Sequence, residues 1–424
     1  MKTILLIGAG KSATVLIDYL IAEAETNNWK FIVADSNREQ IILKTRNSPF
    51  AEAVQLDVTN EQQRGDLIQR AHVVISMMPP ALHFLVAKDC VEYRKHLLTA
   101  SYLDDKMKSL KEEISNRKLL FICEMGLDPG IDHMSAMKII DEIKAKGGKI
   151  TSFKSHCGGL VAPESDDNPW HYKISWNPRN IVMAGQSGAV YKENNEIKEI
   201  SYYDLFDCSN EIVFDGLKDL AFYPNRDSLG YIPTYKLPDT ATFLRTTLRH
   251  VDFFKGWNAI VHAGLTNDTN HINVTGLSFA KWSAAIAPLL NADNLRMLEY
   301  LGIFDEGLVP ATAKTSADIL QFLLETKLNM EPADKDMIVM LHEFEYELEG
   351  KYESLKSCLV VKGENSLQTA MAKTVGLPLG IAAKLILNET IKLKGLHIPT
   401  VKDIYEPVLA ELEQAGIRFE EKTD

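Results

Sequence analysis

Residues 3–13 have the sequence Thr3-Ile4-Leu5-Leu6-Ile7-Gly8-Ala9-Gly10-Lys11-Ser12-Ala13. A short apolar run leads into a G-x-G-x-x-A turn, and a helical pattern follows. Strand, glycine turn and helix in this order predict the first βαβ unit of a dinucleotide-binding sheet. The first glycine permits a tight turn, the second lets a pyrophosphate approach the backbone, and the small alanine lets the helix pack closely. Because the N–H groups of a helix start face such phosphates, we expect cofactor contacts from Gly8, Ala9, Gly10, Lys11, Ser12 and Ala13.

The end of the second predicted strand bears on which cofactor binds. The run Phe31-Ile32-Val33-Ala34 ends at Asp35, roughly 20 residues past the turn, where an acidic side chain holds the adenosine ribose. A carboxylate there repels a 2′-phosphate and favours NAD, whereas Arg38 would pair with that phosphate and favour NADP. A solvated loop is the alternative to a ribose site. Because the carboxylate lies at the strand end and Arg38 lies out in the loop, the local sequence favours NAD, and NADP stays open. The ribose site is predicted at Asp35, Ser36, Asn37 and Arg38.

The composition is that of a globular chain of two or three domains. Its 424 residues are 46% hydrophobic and 25% charged, which excludes a disordered chain. The net charge of −12 argues against a nucleic-acid partner and against an anionic membrane surface. The five cysteines are scattered without a C-x-x-C pair, which indicates a reducing compartment and no structural zinc site. We see no signal peptide and no apolar run of bilayer length, and therefore expect a cytoplasmic enzyme without a metal.

Apolar runs and helical patterns alternate along the first third of the chain. This rhythm predicts a Rossmann domain, a doubly wound parallel sheet, over residues 1–128; the candidate strands are 3–7, 30–34, 53–56, 72–76, 96–99 and 119–123. Ligands bind at the carboxyl edge of such a sheet. The residues that follow the third and fourth strands, Asp57, Val58, Ser76 and Met77, are therefore predicted to contact the cofactor.

The pattern changes after the Asp128-Pro129-Gly130 turn. A second α/β domain is predicted over residues 129–238 and 331–366, for substrate binding and dimerisation. Residues 239–330 are predicted to form a mostly helical subdomain, because apolar residues recur there at spacings of three and four. The segment from about 367 to 424 is expected to return to the Rossmann domain. The predicted fold is thus α/β, a Rossmann sheet plus a second α/β domain with a helical insert.

Five further segments carry unusual combinations of polar, glycine and aromatic residues. They are E-M-G-L-D-P-G-I-D-H-M (124–134), C-G-G-L-V-A-P-E (157–164), N-P-W-H-Y-K-I-S-W (168–176), Y-P-N-R-D-S (223–228) and L-R-T-T-L-R (244–249). Together with the glycine turn they resemble the saccharopine reductase family, the glutamate-forming saccharopine dehydrogenases, over essentially the whole chain. The resemblance implies hydride transfer between a nicotinamide, NADP in the fungal members, and the carbon–nitrogen centre of saccharopine. The imine is then hydrolysed to L-glutamate and 2-aminoadipate semialdehyde, a step of lysine metabolism.

The resemblance also assigns roles to particular residues. Arg226 and Arg245 match the positions that bind the substrate's carboxylates, which a guanidinium recognises with two parallel bonds; a surface salt bridge is the alternative for each. A glycine usually stands in the family where this chain has Thr246. The other residues assigned to the substrate are Ser101, Tyr102, Thr246 and Thr247, and those assigned to the nicotinamide region are Leu127, Asp128, Cys157, Gly158 and Ser175.

Asp128 is the candidate for proton transfer. A carboxyl group in a closed apolar site has a raised pKa and shuttles protons during imine hydrolysis; the alternative is a helix N-cap. Cys157 follows His156, but neighbouring residues of a strand point to opposite faces. We therefore interpret Cys157 as a packing and cofactor-contact residue rather than a nucleophile.

Two other functions compete with this hypothesis. Carboxynorspermidine and homospermidine enzymes reduce imines on a similar scaffold, with amines that lack two of the carboxylates. A catalytically inactive nucleotide-binding protein would keep the glycine turn and bind cofactor without turnover. The resemblance further implies a homodimer that acts on small molecules.

Overall fold

The computed structural model describes residues 1–207, 210–214 and 216–423, without the side chain of Lys218. Cys208, one of the five cysteines, lies outside the described residues. The chain forms two compact units. The first consists of Met1–Gly147 and Leu367–Phe419, and the second of Gly148–Ser366 and the residues from Glu420 onward.

The strands and helices are numbered along the chain. The strands are β1 Thr3–Ile7, β2 Lys30–Asp35, β3 Ala51–Gln55, β4 Val73–Ser76, β5 His96–Thr99, β6 Leu120–Ile122, β7 Lys149–Val161, β8 Ala189–Glu193, β9 Glu196–Ile200, β10 Asn210–Phe214, β11 Leu217–Pro224, β12 Arg226–Asp227, β13 Thr242–His250, β14 Asp336–Leu348, β15 Lys351–Lys362, β16 Gly395–His397 and β17 Glu420–Thr423. The α-helices are α1 Thr14–Asn27, α2 Arg38–Thr45, α3 Glu61–Arg70, α4 Pro80–Glu92, α5 Asp105–Ser109, α6 Lys111–Asn116, α7 Ile131–Ala145, α8 Pro178–Val182, α9 Val251–His262, α10 Phe279–Trp282, α11 Ala292–Leu301, α12 Ser316–Lys327, α13 Ala370–Leu387 and α14 Lys402–Gln414.

The first unit is built on a parallel sheet with the order β16-β6-β5-β4-β1-β2-β3. β1 lies between β2 and β4, and Ile4 pairs with Phe31 on one side and with Val73 on the other. All five residues of β1 are buried, as a strand covered on both faces of a parallel sheet requires. The Rossmann sheet predicted from the glycine turn is confirmed, and β16 adds a seventh strand to the six that the sequence indicates.

Helix α13 is the most apolar long helix of this unit. It has 18 residues and a mean hydropathy of 1.5, so length and composition alone would let it cross a membrane. This corrects the expectation that the chain has no apolar run of that length. The helix is 83% buried and packs on α1, where Cβ atoms added at Gly376 and Gly380 would come within 3.0 Å of Leu16 and 2.6 Å of Tyr19. That is the burial of a core helix.

The second unit is built on a mixed sheet with the main order β10-β11-β13-β7-β14-β15-β17. β7 runs parallel to β13 and antiparallel to β14. Beside the sheet, α9, α11 and α12 enclose an aromatic core in which Phe253 stacks on Trp257 with 5.2 Å between ring centroids. The predicted second α/β domain with a helical portion is therefore present.

The division of the chain differs from the predicted one in four respects. Helix α7 belongs to the first unit, so that unit extends to residue 147 instead of 128. The predicted helical segment 239–330 begins with strand β13, whose pairing with β7 and β11 overrides its local pattern. The helices that follow belong to the second unit rather than to a separate one, and β17 pairs with β15 instead of returning to the first unit.

Candidate active site

The glycine turn has the geometry of a phosphate-binding loop. Gly8 has φ +104°, and a Cβ there would approach the Met77 carbonyl oxygen to 2.8 Å, so only glycine fits. A Cβ at Gly10 would meet no described atom within 4 Å, which leaves the space that a pyrophosphate needs. Residues 11–13, with Ser12 half-buried, form a 3-10 turn that continues into α1. The first turn of α1 carries no acidic side chain among its residues, all described, so its positive end suits an anion.

Asp35 braces this turn from the second strand. Its Oδ2 accepts the Ala9 N–H at 2.7 Å, and its Oδ1 accepts the Asn37 N–H at 3.0 Å and the Ser36 hydroxyl at 3.3 Å. Position alone could not reveal the bond to Ala9, because it joins two loops 26 residues apart. The carboxylate thus shapes the backbone on which phosphates and ribose would lie.

Cationic side chains stand around the same loop. Lys44, which sequence reasoning missed, donates to the Gly10 carbonyl at 2.5 Å. Burial lowers the pKa of Lys44 to about 8, against the opposing charges of Asp35 and Asp18. Arg38, exposed, opens α2. The feature of the sequence that could have identified Lys44 is a lysine nine residues after β2, in the helical pattern that follows the strand.

A cavity of about 320 Å³ lies next to Asp35 at the carboxyl edge of the sheet. It brings together the predicted residues Asp35, Ser36, Asp57 and Val58 and adds Ile7, Gln55, Leu56, Met78 and Leu82. Asp57 accepts the Thr59 hydroxyl at 2.7 Å and the Thr59 N–H at 2.9 Å, and these bonds lower its pKa. The apolar walls with a polar rim suit an adenine ring and its ribose.

His83 links the ends of two strands, and sequence reasoning missed it. Its Nδ1 lies 2.8 Å from the Ser76 hydroxyl and its Nε2 lies 2.7 Å from the Ser101 hydroxyl. Burial lowers the pKa of His83 to about 4, so the ring is neutral at pH 7. The predicted cofactor residue Ser76 and the predicted substrate residue Ser101 are therefore joined through one imidazole. The feature of the sequence that could have identified His83 is a histidine in the first turn of the helix that follows β4.

Asp128 is paired with Tyr102, whose hydroxyl donates to Asp128 Oδ1 at 3.4 Å. The N-cap of α7 is Gly130, so Asp128 is not the helix cap. Leu127, next to it, is buried. The loop that carries Tyr102 is held by Glu124, which accepts the Leu103 N–H at 2.9 Å and lies 2.8 Å from the buried His133. A fixed tyrosine–carboxyl pair is an arrangement that can hold and pass a proton.

In the second unit, Arg245 lies in the middle of β13 and is 2% exposed. Its guanidinium lies 4.6 Å from the centre of the Tyr231 ring. Its backbone N–H donates to the Ser228 hydroxyl at 3.0 Å, and its carbonyl accepts the Asn225 N–H at 2.8 Å. Arg226 is exposed in β12 with φ +53°. The Y-P-N-R-D-S and L-R-T-T-L-R segments are thus neighbours, as the joint role predicted for them would require.

The residues beside Arg245 are fixed by a buried histidine. His156 Nδ1 lies 2.7 Å from the Thr246 hydroxyl, and His156 Nε2 lies 3.3 Å from Glu343. Burial lowers the pKa of His156, while its hydrogen bond lowers the pKa of Glu343 to about 2. Thr246 is buried and its hydroxyl faces His156, so it braces the strand; Thr247 is half-buried.

Of the remaining predicted residues, Cys157 and Gly158 lie on β7, and Ser175 lies in the segment that follows it. Cys157 pairs with Thr247 and is buried. A Cβ at Gly158 would come within 2.6 Å of Leu248, so the glycine lets two strands approach closely. Ser175 is buried just beyond a bridge between Ile174 and Asn329. These three residues therefore lie in the second unit with the arginines.

Comparisons with known proteins agree with these features. A family model described as the saccharopine dehydrogenase NADP binding domain matches residues 4–122, and one described as the saccharopine dehydrogenase C-terminal domain matches residues 126–417. The saccharopine dehydrogenase [NADP(+), L-glutamate-forming] of Saccharomyces cerevisiae is 33% identical, covering 100% of this chain and 99% of the relative.

A longer relative and a solved structure also match this chain. The mitochondrial alpha-aminoadipic semialdehyde synthase of Bos taurus is 35% identical over 99% of this chain, which spans 47% of that relative, about half its length. The solved structure of the apo histidine-tagged saccharopine dehydrogenase (L-Glu forming) from Saccharomyces cerevisiae has a TM-score of 0.89 and 32% identity, and the match covers all of both chains.

Proposed function

The chain belongs to the saccharopine dehydrogenase family, and on that basis we propose that it interconverts saccharopine with L-glutamate and 2-aminoadipate 6-semialdehyde, with NADP. The observation that carries this proposal is the buried guanidinium of Arg245, held against Tyr231 and flanked by the segment of Arg226. A substrate with three carboxylates needs such fixed cations. The chain also spans nearly the full length of the yeast relative with that activity in its name.

Some of the described residues would bind the cofactor and substrate, and others would transfer a proton. The glycine turn and the N-terminal end of α1 would hold the pyrophosphate, and the cavity beside Asp35 would hold the adenosine. Bound NADP supplies the hydride acceptor or donor. Arg245 would fix a substrate carboxylate, and the Tyr102–Asp128 pair would hold the proton exchanged during imine formation and hydrolysis.

NADP is proposed in place of the NAD that Asp35 suggested from sequence. Both oxygens of Asp35 already accept bonds from its own loop and the glycine turn, which weakens the argument from ribose binding. Lys44 and Arg38 supply positive charge for a 2′-phosphate, and the matching domain model is an NADP-binding one.

The cofactor assignment predicts the outcome of one comparison. The wild type should have the higher kcat/KM with NADP, and Arg38→Ala should lower it about 10–100-fold with NADP while leaving NAD little changed, because one charged hydrogen bond contributes roughly 1.5–3 kcal/mol. Arg418→Ala, at an exposed arginine paired with Glu413, is the control. A wild type that prefers NAD would contradict the assignment.

The substrate assignment predicts the effect of Arg245→Lys. Lysine keeps the charge but loses the planar fork, so the KM for saccharopine should rise about 10-fold or more, and the KM for NADP should not change. Steady-state assays of NADPH absorbance measure both constants. An unchanged KM for saccharopine would sink the assignment.

The same assay separates the two competing functions. A carboxynorspermidine or homospermidine type of imine reductase would turn over amines that lack two carboxylates faster than saccharopine. An inactive nucleotide-binding protein would bind NADP in a calorimeter and turn over neither substrate.

We propose further that the chain forms a homodimer in the cytoplasm and has no nucleic-acid or membrane partner. The support for the dimer is the family resemblance. Among the described residues, Cys90, Cys123, Cys157 and Cys358 are not joined in disulfides, which suits a reducing compartment. Light scattering gives the mass in solution, and cell fractionation gives the location.

A further inference from the structure

A further cavity borders the parallel sheet of the first unit, at the edge where the strands begin. It has a volume of about 510 Å³ and is lined by Lys2 before β1, His72 before β4 and His96 at the start of β5. The predicted cofactor residues follow the opposite ends of the strands. The cavity is therefore separate from the candidate active site, and because its lining comes from distant stretches of the chain, no local motif predicts it.

Positive charge dominates the lining of this cavity. Five cationic side chains line it together with one carboxylate, that of Glu389, although the whole chain has a net charge of −12. Lys2 donates to the Leu387 carbonyl. Within the described part of the chain, the other four form no ion pair and no side-chain hydrogen bond; they are Arg94, Lys95, Lys392 and Lys394. Like charges collected in a concave surface attract an anion.

Two imidazoles of the lining add neutral hydrogen-bond donors. His72 Nδ1 accepts the Thr3 N–H at 3.1 Å, and His96 Nδ1 accepts the Leu120 N–H at 3.0 Å. Since a neutral imidazole has one acceptor nitrogen and one N–H, each ring carries its hydrogen on Nε2, and no residue in the described ranges accepts it. Burial, together with nearby cations, lowers the pKa of both rings, that of His96 to about 4. Both rings are therefore neutral at pH 7 and offer one N–H each to a ligand.

The rest of the lining is largely apolar, with the buried side chains of Leu120, Ile386, Leu387 and Ile391. Apolar walls with a few polar groups are typical of small-molecule sites. A phosphate group has about two negative charges at pH 7 and three acceptor oxygens, so it matches several cations and two N–H groups better than a carboxylate does. We propose that this cavity binds a small, soluble phosphate ester with an apolar body.

Binding is tested by calorimetry on the full chain saturated with NADP, so that the cofactor site is occupied. The probes are 1-naphthyl phosphate, 1-naphthoate, which has the same rings with a carboxylate, and inorganic phosphate. We expect one site per chain for 1-naphthyl phosphate. The affinities for the other two probes should be about 10-fold lower or less, because one lacks charge and oxygens and the other lacks the apolar body.

Variants of two exposed lysines locate the site. Lys392→Gln and Lys394→Gln should each lower the affinity for 1-naphthyl phosphate about 10-fold, because each removes a charged hydrogen-bond donor. Lys402→Gln is the control, at an exposed lysine of the same unit that pairs with Glu406 outside the cavity. It should bind the probe as the wild type does.

Histidine ring resonances give a second readout that needs no variant. In NMR spectra, those of His72 and His96 should shift when 1-naphthyl phosphate binds, whereas that of His271, which is exposed in the second unit, should not. Neither readout depends on catalytic activity, so the result stands apart from the proposed function.

Three results would overturn the proposal. One is a wild type that does not bind 1-naphthyl phosphate, and another is an affinity that Lys392→Gln and Lys394→Gln leave unchanged, which would place the probe elsewhere. The third is binding of inorganic phosphate or 1-naphthoate as tight as that of 1-naphthyl phosphate. Sedimentation with vesicles of phosphatidic acid and phosphatidylcholine tests a lipid headgroup as the source of the phosphate. Co-sedimentation that Lys394→Gln abolishes would replace the soluble ester by a membrane surface.

Discussion

His83 shows how one residue can set the roles of two others. A neutral imidazole has one N–H donor and one acceptor nitrogen, so the hydroxyls of Ser76 and Ser101 must play opposite parts. Whichever tautomer is present, one serine donates to the ring and the other accepts from it. The orientation of Ser101, a predicted substrate contact, therefore depends on a residue that lies behind it.

Removal of this imidazole should lower the stability of the protein and weaken substrate binding. We expect His83→Ala to lower the free energy of unfolding by about 1–3 kcal/mol, because two hydroxyls lose a buried partner, and to raise the KM for saccharopine more than it lowers kcat. His397→Ala, at a half-buried ring bound to the Lys394 carbonyl, is the control. If urea unfolding gave the same free energy of unfolding for His83→Ala as for the wild type, His83 would not hold the two strand ends together.

The residues of the candidate site were predictable from sequence where a motif fixes the backbone, and their partners were not. The glycine turn, Asp35 and the two arginines were found from local patterns and the family resemblance. The bonds from Asp35 to Ala9 and from Tyr102 to Asp128 join residues 26 apart in the chain. Such contacts are set by the packing of whole elements, so a linear pattern carries no trace of them.

At the scale of elements, the close approach of β7 and β13 positions two predicted site residues on neighbouring strands of the sheet, because β13 carries Arg245 and β7 carries Cys157. Gly158 makes this approach possible. A Cβ there would lie 2.6 Å from the Leu248 Cβ and 2.7 Å from its carbonyl oxygen, and neither is the end of a flexible chain.

Gly158→Ala should therefore push the strands apart and destabilise the protein by about 1–3 kcal/mol, the usual effect of overpacking. Gly307→Ala is the control, since its Cβ would meet nothing nearer than Phe279 at 3.9 Å. Thermal unfolding followed by circular dichroism compares the two. Equal melting temperatures would contradict the steric argument.

β13 also explains one failure of prediction. Leu244 and Leu248 are four residues apart, a spacing that suits a helix as well as a strand. The choice was made by β7 and β11, which pair with β13 on its two sides and lie far away in sequence. β16 was missed for a related reason, since three residues are too few to show a period.

For the molecule as a whole, the buried histidines predict a sensitivity to acid. Burial lowers the pKa of His83 and that of His96 to about 4, below the value of about 6.5 in an unfolded chain. The unfolded state then binds more protons between pH 6.5 and 4, so stability falls as the pH falls through that range. The lowered pKa of His83 alone corresponds to a loss of about 3 kcal/mol in the free energy of unfolding over this range.

We expect calorimetric melting temperatures to fall steadily from pH 6.5 to 4.5, and the fall to be smaller in His83→Gln. Glu343, whose pKa is lowered to about 2, loses its stabilising effect only below pH 4.5. Melting temperatures that stay level down to pH 4.5 would disprove the assignment of neutral buried histidines.

The chain passes between the two units three times, after Gly147, after Ser366 and after Phe419. On the ribosome, α1 emerges early but its packing partner α13 does not. Gly148–Ser366 must be synthesised in between, which takes on the order of 10–40 s at about 5–20 residues per second. During that delay the surfaces of α1, β4 and β5 that α13 covers are exposed to solvent. We therefore expect the newborn chain to depend on chaperones that shield apolar surface.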